Sequence, residues 1–196
     1  MQTDDALMCA YQRGQREAFD LLVRRHWGPV EEFARRIVKD PNLAEDVLIE
    51  CFYKLHRAAP HYQAQDGFKT FLYRIAYHES ISALRRQHSA GKSQQVSFSA
   101  GDGPEYQVAC QQPSSEDQLL TREGLHQAEA LLNTLNEVQR AVMLLYYRDE
   151  LPTPDIAQAL NIPVTSVRAY LSLARKAMRE RATQLSPDMD LERRMT

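Results

Sequence analysis

The chain has 196 residues, 43% hydrophobic and 26% charged, with a formal net charge of −2. That composition excludes a disordered or collagen-like chain and fits one medium domain or two small ones. Apolar runs such as Ala141 to Tyr147 are too short to cross a bilayer, and Met1 to Asp5 lacks the basic-then-apolar order of a signal peptide. A cytoplasmic location without membrane insertion is expected.

Phe19, Leu22, Val23, Trp27, Val30, Phe33, Ala34, Ile37 and Val38 recur at three- and four-residue intervals. This predicts a long helix, with a bend or break at Gly28-Pro29. A second helix is expected to open at Asn42, where Asn42-x-x-Glu45 has capping-box spacing, and to bury Ala44, Val47, Leu48, Cys51, Phe52 and Leu55. A loop over 60–67 leads to a third helix over 68–87, with Phe71, Leu72, Ile75 and Leu84 inward. From His88 to Ser115 the stripe stops in a stretch rich in Ser, Gln and Gly, which reads as a linker. Periodicity resumes near Glu116 and runs through a four-helix unit, and the last residues read as a polar tail. No segment alternates as a half-buried strand would. The expected fold is all-α: two small helical domains at 1–88 and 116–186, a flexible linker at 89–115 and a tail at 187–196.

Cys9, Cys51 and Cys110 are odd in number and widely spaced, so they form neither a disulfide framework nor a zinc motif. Cys51 reads as a helix-core residue, and His26 and His126 as packing or surface residues. No metal or cofactor is expected. With no phosphate-binding glycine loop, nucleophile arrangement or metal cluster, an enzyme is not expected either.

The small net charge requires any nucleic-acid binding to rest on local patches. Such a patch follows Leu151-Pro152-Thr153-Pro154-Asp155-Ile156-Ala157, where Thr153 is expected to cap a helix and Pro154 to occupy its first position. Ile156, Ala157 and Leu160 face inward, and Asn161-Ile162-Pro163 forms a turn in which Asn161 tolerates a left-handed conformation. The next helix, 164–181, buries Val167, Leu171, Ala174 and Met178 and presents Thr165, Ser166, Arg168, Tyr170, Ser172, Arg175 and Lys176. That is a helix-turn-helix pattern, whose second helix enters the major groove of duplex DNA. Arg168 is the candidate for base or phosphate contact and Arg175 for the backbone. The bland alternative is a helical hairpin with a solvated basic face.

The order Ala18-Phe19, Ala44-Glu45-Asp46-Val47, Phe71-Leu72-Tyr73-Arg74-Ile75-Ala76 and Leu84-Arg85-Arg86 resembles region 2 of sigma factors. Leu135, Gln139-Arg140, Ile156-Ala157, Val167-Arg168 and Ala174-Arg175 resemble region 4. Together they resemble the extracytoplasmic-function group of the sigma-70 family. The resemblance implies an alternative sigma factor that binds bacterial core RNA polymerase and directs promoter-specific initiation. The first domain would meet the polymerase clamp helices and the −10 element, and the second the −35 element. Glu45, Asp46, Ile49 and Glu50 are then the polymerase-binding candidates, although Glu45 can equally serve the helix cap. Melting DNA calls for aromatic platforms beside cations. The third helix and its preceding loop offer Tyr62, Phe68, Tyr73, Tyr77 and His78, with Lys69, Arg74, Arg85 and Arg86, while by spacing Phe68, Phe71 and Leu72 read as core.

The resemblance also implies that an anti-sigma factor can clamp the two domains. Ile49 stands where the family usually carries Gln, His78 and Ser82 where Asn and Asp are usual, and Tyr170 and Leu173 where Arg is common. Two other readings remain: a stand-alone helix-turn-helix regulator, and a helical adaptor or anti-sigma-like binder that keeps the shape without promoter activity.

Overall fold

The computed structural model describes residues 2–91 and 135–185, which hold seven α-helices and no strand. The expected linker from residue 92 onward, Cys110, His126, the start of the C-terminal unit and the polar tail lie outside the described residues.

Helix α1 (Asp4–Gln12) has no counterpart in the sequence reading. Thr3 caps it by accepting from the Ala6 amide at 3.2 Å, and Asp4 and Asp5 sit where the helix dipole favours negative charge. Its buried face is Leu7, Met8 and Ala10.

Helix α2 (Arg16–Val38) runs without a break through Pro29, contrary to one of the two expectations there. Gly28 and Pro29 lie on its exposed side, where a carbonyl left without an intrahelical donor can reach water. Leu22, Val30, Phe33 and Ile37 are fully buried. The helix ends at Lys39 in the left-handed conformation, φ 59°, with its amide donating to the Arg35 carbonyl.

Helix α3 (Pro41–Ala58) starts one residue before the expected capping box. Its cap is Asp40, whose carboxylate accepts from the Asn42 and Leu43 amides at 2.9 and 3.2 Å. Pro41 suits the first turn, because its missing N–H would have gone unpaired there. Two 3-10 turns, Ala59–His61 and Ala64–Asp66, lead to α4 (Phe68–Gly91). The connecting loop is pinned from α1. The Gln12 side-chain amide donates to the Ala59 and Tyr62 carbonyls at 2.8 and 2.9 Å. Asp5 accepts from the Phe68 amide at 2.9 Å and from the Tyr62 hydroxyl. A carboxylate 63 residues away thus satisfies a free amide at the start of α4.

In the C-terminal part, α5 (Glu137–Tyr147) opens on a true capping box, Asn136 with Gln139. Helix α6 (Thr153–Leu160) follows, but Thr153 is its first residue rather than its cap; Pro152 holds the cap position and makes no side-chain cap bond. Helix α7 (Val164–Leu185) completes the described chain.

Helix α2 packs on α1, α3 and α4. The C-terminal helices join the same core, with α6 against α4 and α5 against α2. Phe33 meets Tyr73 edge-on at 5.2 Å at its centre. Each large side chain fully buried here contributes about 1.5–3 kcal/mol.

Candidate nucleic-acid interface

The turn of the helix-turn-helix is built as its sequence implies, although α6 starts one residue earlier than expected, at Thr153 rather than Pro154. Asn161 closes α6 in the left-handed conformation, φ 54° and ψ 50°, and the Ile162 amide donates back to the Ala157 carbonyl at 3.0 Å. The Pro163 carbonyl then accepts from Ser166 and Val167, which starts α7 at once. Ile156 and Leu160 on α6 and Val167, Leu171 and Ala174 on α7 lock the two helices together.

That packing fixes which side of α7 faces out. Thr165, Arg168 and Lys176 are exposed, and Ser166 and Ser172 are partly so. Leu173, 54% exposed, joins this outer side and was not among the predicted contact residues. Its neighbours at three- and four-residue spacing were the available signal. Tyr170 and Arg175 are half-buried at opposite edges. Arg175 donates to the Tyr147 hydroxyl at 2.9 Å and lies 5.7 Å over the Tyr146 ring, so two aromatic side chains of α5 hold its guanidinium in place.

The second candidate surface lies on α3 and α4. Glu45, Asp46 and Ile49 are exposed, Ile49 to 55%, and Glu50 is partly so. Asp46, Ile49 and Glu50 share a groove of about 610 Å³ with Leu43, Ala83, Arg86 and Gln87. Arg86 therefore stands beside the acidic residues rather than apart from them. Lys54 bridges Glu79 at 2.7 Å and Glu50 at 3.7 Å, which offsets part of the negative charge at one end of the groove.

The aromatic-basic set on α4 is divided. His78, Arg85 and Arg86 are exposed, and Arg74 is half-buried with its guanidinium 5.3 Å over Phe71. Tyr62, Tyr73 and Tyr77, expected as aromatic platforms, are buried, at 6%, 1% and 7% exposure. Tyr62 is turned inward by Asp5 and the rings of Phe68 and Phe71. Around Tyr77, burial, reinforced by nearby Glu137, pushes the hydroxyl up to about 12. Phe68 and Leu72 are buried as read, while Phe71 is partly buried at the edge of the core.

Tyr77 is covered because the C-terminal helices sit on α4. Tyr73, 1% exposed, donates to the Asp149 carboxylate, and Lys69 reaches the Asp149 carbonyl at 3.5 Å. Arg140, 3% exposed, donates to the Arg36 and Ile37 carbonyls at the end of α2, both at 3.3 Å, and to Leu135. Those carbonyls belong to the last turn of a helix, which lacks amide partners and carries partial negative charge. Arg148 adds a bond to the Pro29 carbonyl at 3.1 Å.

Comparison with known proteins decides what this arrangement belongs to. Residues 22–90 match the family described as Sigma-70 region 2, and residues 125–178 match Sigma-70, region 4. The ECF RNA polymerase sigma-E factor of Escherichia coli strain K12 is 30% identical over 177 residues, covering 90% of this chain and 92% of that protein. The chain belongs to the extracytoplasmic-function sigma factors of the sigma-70 family. The RNA polymerase sigma-H factor of Pseudomonas aeruginosa is 28% identical to this sigma factor over 89% of the chain and 91% of its own length. In fold, this sigma factor is similar to CnrH solved with the cytosolic domain of CnrY, at a TM-score of 0.64 and 20% identity, covering 95% of this chain and 99% of that one. It is also similar to RpoE of Bartonella quintana solved with the anti-sigma factor NepR, at a TM-score of 0.60 and 19% identity over 87% and 98% of the chains. Among the described residues of this sigma factor, no helix is long and apolar enough to cross a membrane.

Proposed function

We propose that this sigma factor, which directs transcription initiation by bacterial core RNA polymerase, divides the task between two surfaces. Asp46, Ile49 and Glu50 on α3, with Glu45 beside them, take hold of the polymerase clamp helices. The outer side of α7 reads the −35 element, with Thr165, Ser166, Arg168, Tyr170, Ser172, Arg175 and Lys176 along it. Helix α4 opens the −10 element through the exposed Lys69, His78, Arg85 and Arg86, with the half-buried Arg74 beside them. Residues 1–88 form the first functional domain and 116–186 the second, with 89–115 joining them. The polymerase supplies all the catalysis, and the chain works in the cytoplasm. An anti-sigma factor is a further partner, in keeping with the two complexes to which the fold is similar.

The observation that carries this reading is the outward face of α7. Helix α6 and its turn hold Thr165, Arg168 and Lys176 clear of the core, in a chain whose first half matches region 2 over residues 22–90. A stand-alone regulator has no use for that first half. The test separates the two surfaces. Asp46→Arg with Glu50→Arg should weaken core polymerase binding about tenfold or more through like-charge contacts, and leave binding to −35 duplex unchanged. Arg168→Ala should do the reverse, costing about 1–3 kcal/mol of duplex affinity with core binding intact. If both variants lose both activities while remaining folded, the division of labour is wrong.

A further inference from the structure

The buried side of α7 fixes what its other side presents. Val167, Leu171 and Ala174 face the core at 0%, 3% and 2% exposure. An α-helix turns by about 100° per residue, so the line opposite them runs through Thr165, Ala169 and Leu173, each four residues after the last. Thr165 is exposed, Ala169 partly so, and Leu173 keeps 54% of its surface open to solvent. Along that line the helix offers two methyl groups and an isobutyl group, and only Thr165 adds a side-chain hydrogen-bonding atom.

The cations flank this apolar line. Arg168 and Arg175 share one edge of the helix, and Lys176 lies a turn beyond Leu173. Arg175 is held at its edge by the Tyr147 hydroxyl at 2.9 Å and by the Tyr146 ring, while Tyr170 on the other edge packs against the core. A helix about 10–12 Å across fills a major groove about 12 Å wide, so cations at its edge and end meet phosphates while the outermost line meets base edges. A lone exposed leucine calls for no explanation, but one on the outermost line of a DNA-reading helix loses its water whenever that helix docks. Leucine neither donates nor accepts a hydrogen bond, so a polar base edge covered by it is left unpaired at a cost in affinity. Thymine alone presents an apolar group in the major groove, its C5 methyl.

We propose that Leu173, continued by Ala169 and the Thr165 methyl group, selects thymine in the −35 element by contact with its C5 methyl. This role rests on α7 being the −35 reader, as proposed above, and adds which base the helix favours and through which atoms. The flanking cations then supply affinity common to all sequences, and the apolar line supplies discrimination. Burying one methyl group against leucine favours thymine about fourfold over the same base without it.

The test uses the full chain assembled with core polymerase and a duplex library randomised over the upstream promoter element. The wild type should enrich thymine at one or more fixed positions. Leu173→Ala should lose that preference, and Leu173→Arg should exchange it for guanine, whose O6 and N7 accept a bidentate arginine. Circular dichroism of both variants should match the wild type, because the side chain is exposed and both replacements favour helix. In the selected duplex each thymine is then replaced singly by deoxyuridine, which keeps the base pairing and removes only the methyl. At the Leu173-dependent position this should weaken wild-type binding about fourfold and leave Leu173→Ala binding unchanged. A uracil penalty of the same size in both proteins overturns the thymine contact, as does a wild-type selection in which no thymine depends on Leu173. If no upstream sequence is enriched and Arg168→Ala binds as the wild type does, α7 is not the −35 reader, and the role of Leu173 falls with that reading.

Discussion

Cys51 sits on the inner face of α3 at 0% exposure, and burial, reinforced by the charge of Glu79, pushes its thiol up to about 12. Only the thiolate is nucleophilic, so this residue is a packing element and not a sensor. Iodoacetamide at pH 8 should leave Cys51 unmodified in the native protein and alkylate it after denaturation, as read by peptide mass spectrometry; rapid native labelling would contradict this. Asp4 shows the opposite balance. Burial pushes its pKa up, but hydrogen bonds and charge from Arg25 and His26 outweigh this and hold it below the ordinary carboxylate range. A carboxylate with a lowered folded pKa stabilises the fold above its unfolded pKa, and that contribution is lost as pH falls through the folded value. Asp4→Asn should therefore lower the melting temperature by a few degrees at pH 7, and the difference from wild type should vanish at acid pH. An equal difference at both pH values would count against the ion pair.

At the scale of elements, the turn between α6 and α7 rests on one left-handed residue. Asn161 adopts φ 54°, which asparagine tolerates and a β-branched side chain does not. Asn161→Val should cost about 1–3 kcal/mol in denaturant titration and weaken −35 binding, while Asn161→Gly should be close to neutral. If valine costs nothing, the turn does not set the angle of α7. This turn was legible in the sequence because Asn161-Ile162-Pro163 is a local signal, and so were the apolar stripes of α2 and α3. Other features were not. The cap of α3 is Asp40 and not the Asn42 box, because two overlapping local patterns compete and only the helix start distinguishes them. Helix α1 is nine residues with a narrow apolar face, too short for a persuasive stripe. Asp5 satisfies Phe68 from 63 residues away, and no periodicity reports a contact of that span. Tyr62 and Tyr77 failed as exposed platforms for the same reason. Their own helix or loop can say which side they are on, but not that α1 or the C-terminal helices cover it.

Across the whole molecule, the halves share one continuous core, yet the task proposed for them needs two readers set far apart. The fold class and family lie in stripes and motifs spread along the chain, which is why the sequence reading reaches them. The closed packing depends on Arg140, Tyr73 and Asp149 meeting across the fold, and nothing in their local sequence announces it. This sigma factor supplies promoter choice to a polymerase that lacks it. Run-off transcription on fragmented genomic DNA, with purified chain and bacterial core polymerase and with transcript ends sequenced, tests it most directly. The expected result is a discrete set of start sites, absent from core polymerase alone, that shrinks with Asp46→Arg and Glu50→Arg. Transcription indistinguishable from core alone, with no stable complex on gel filtration, would contradict it.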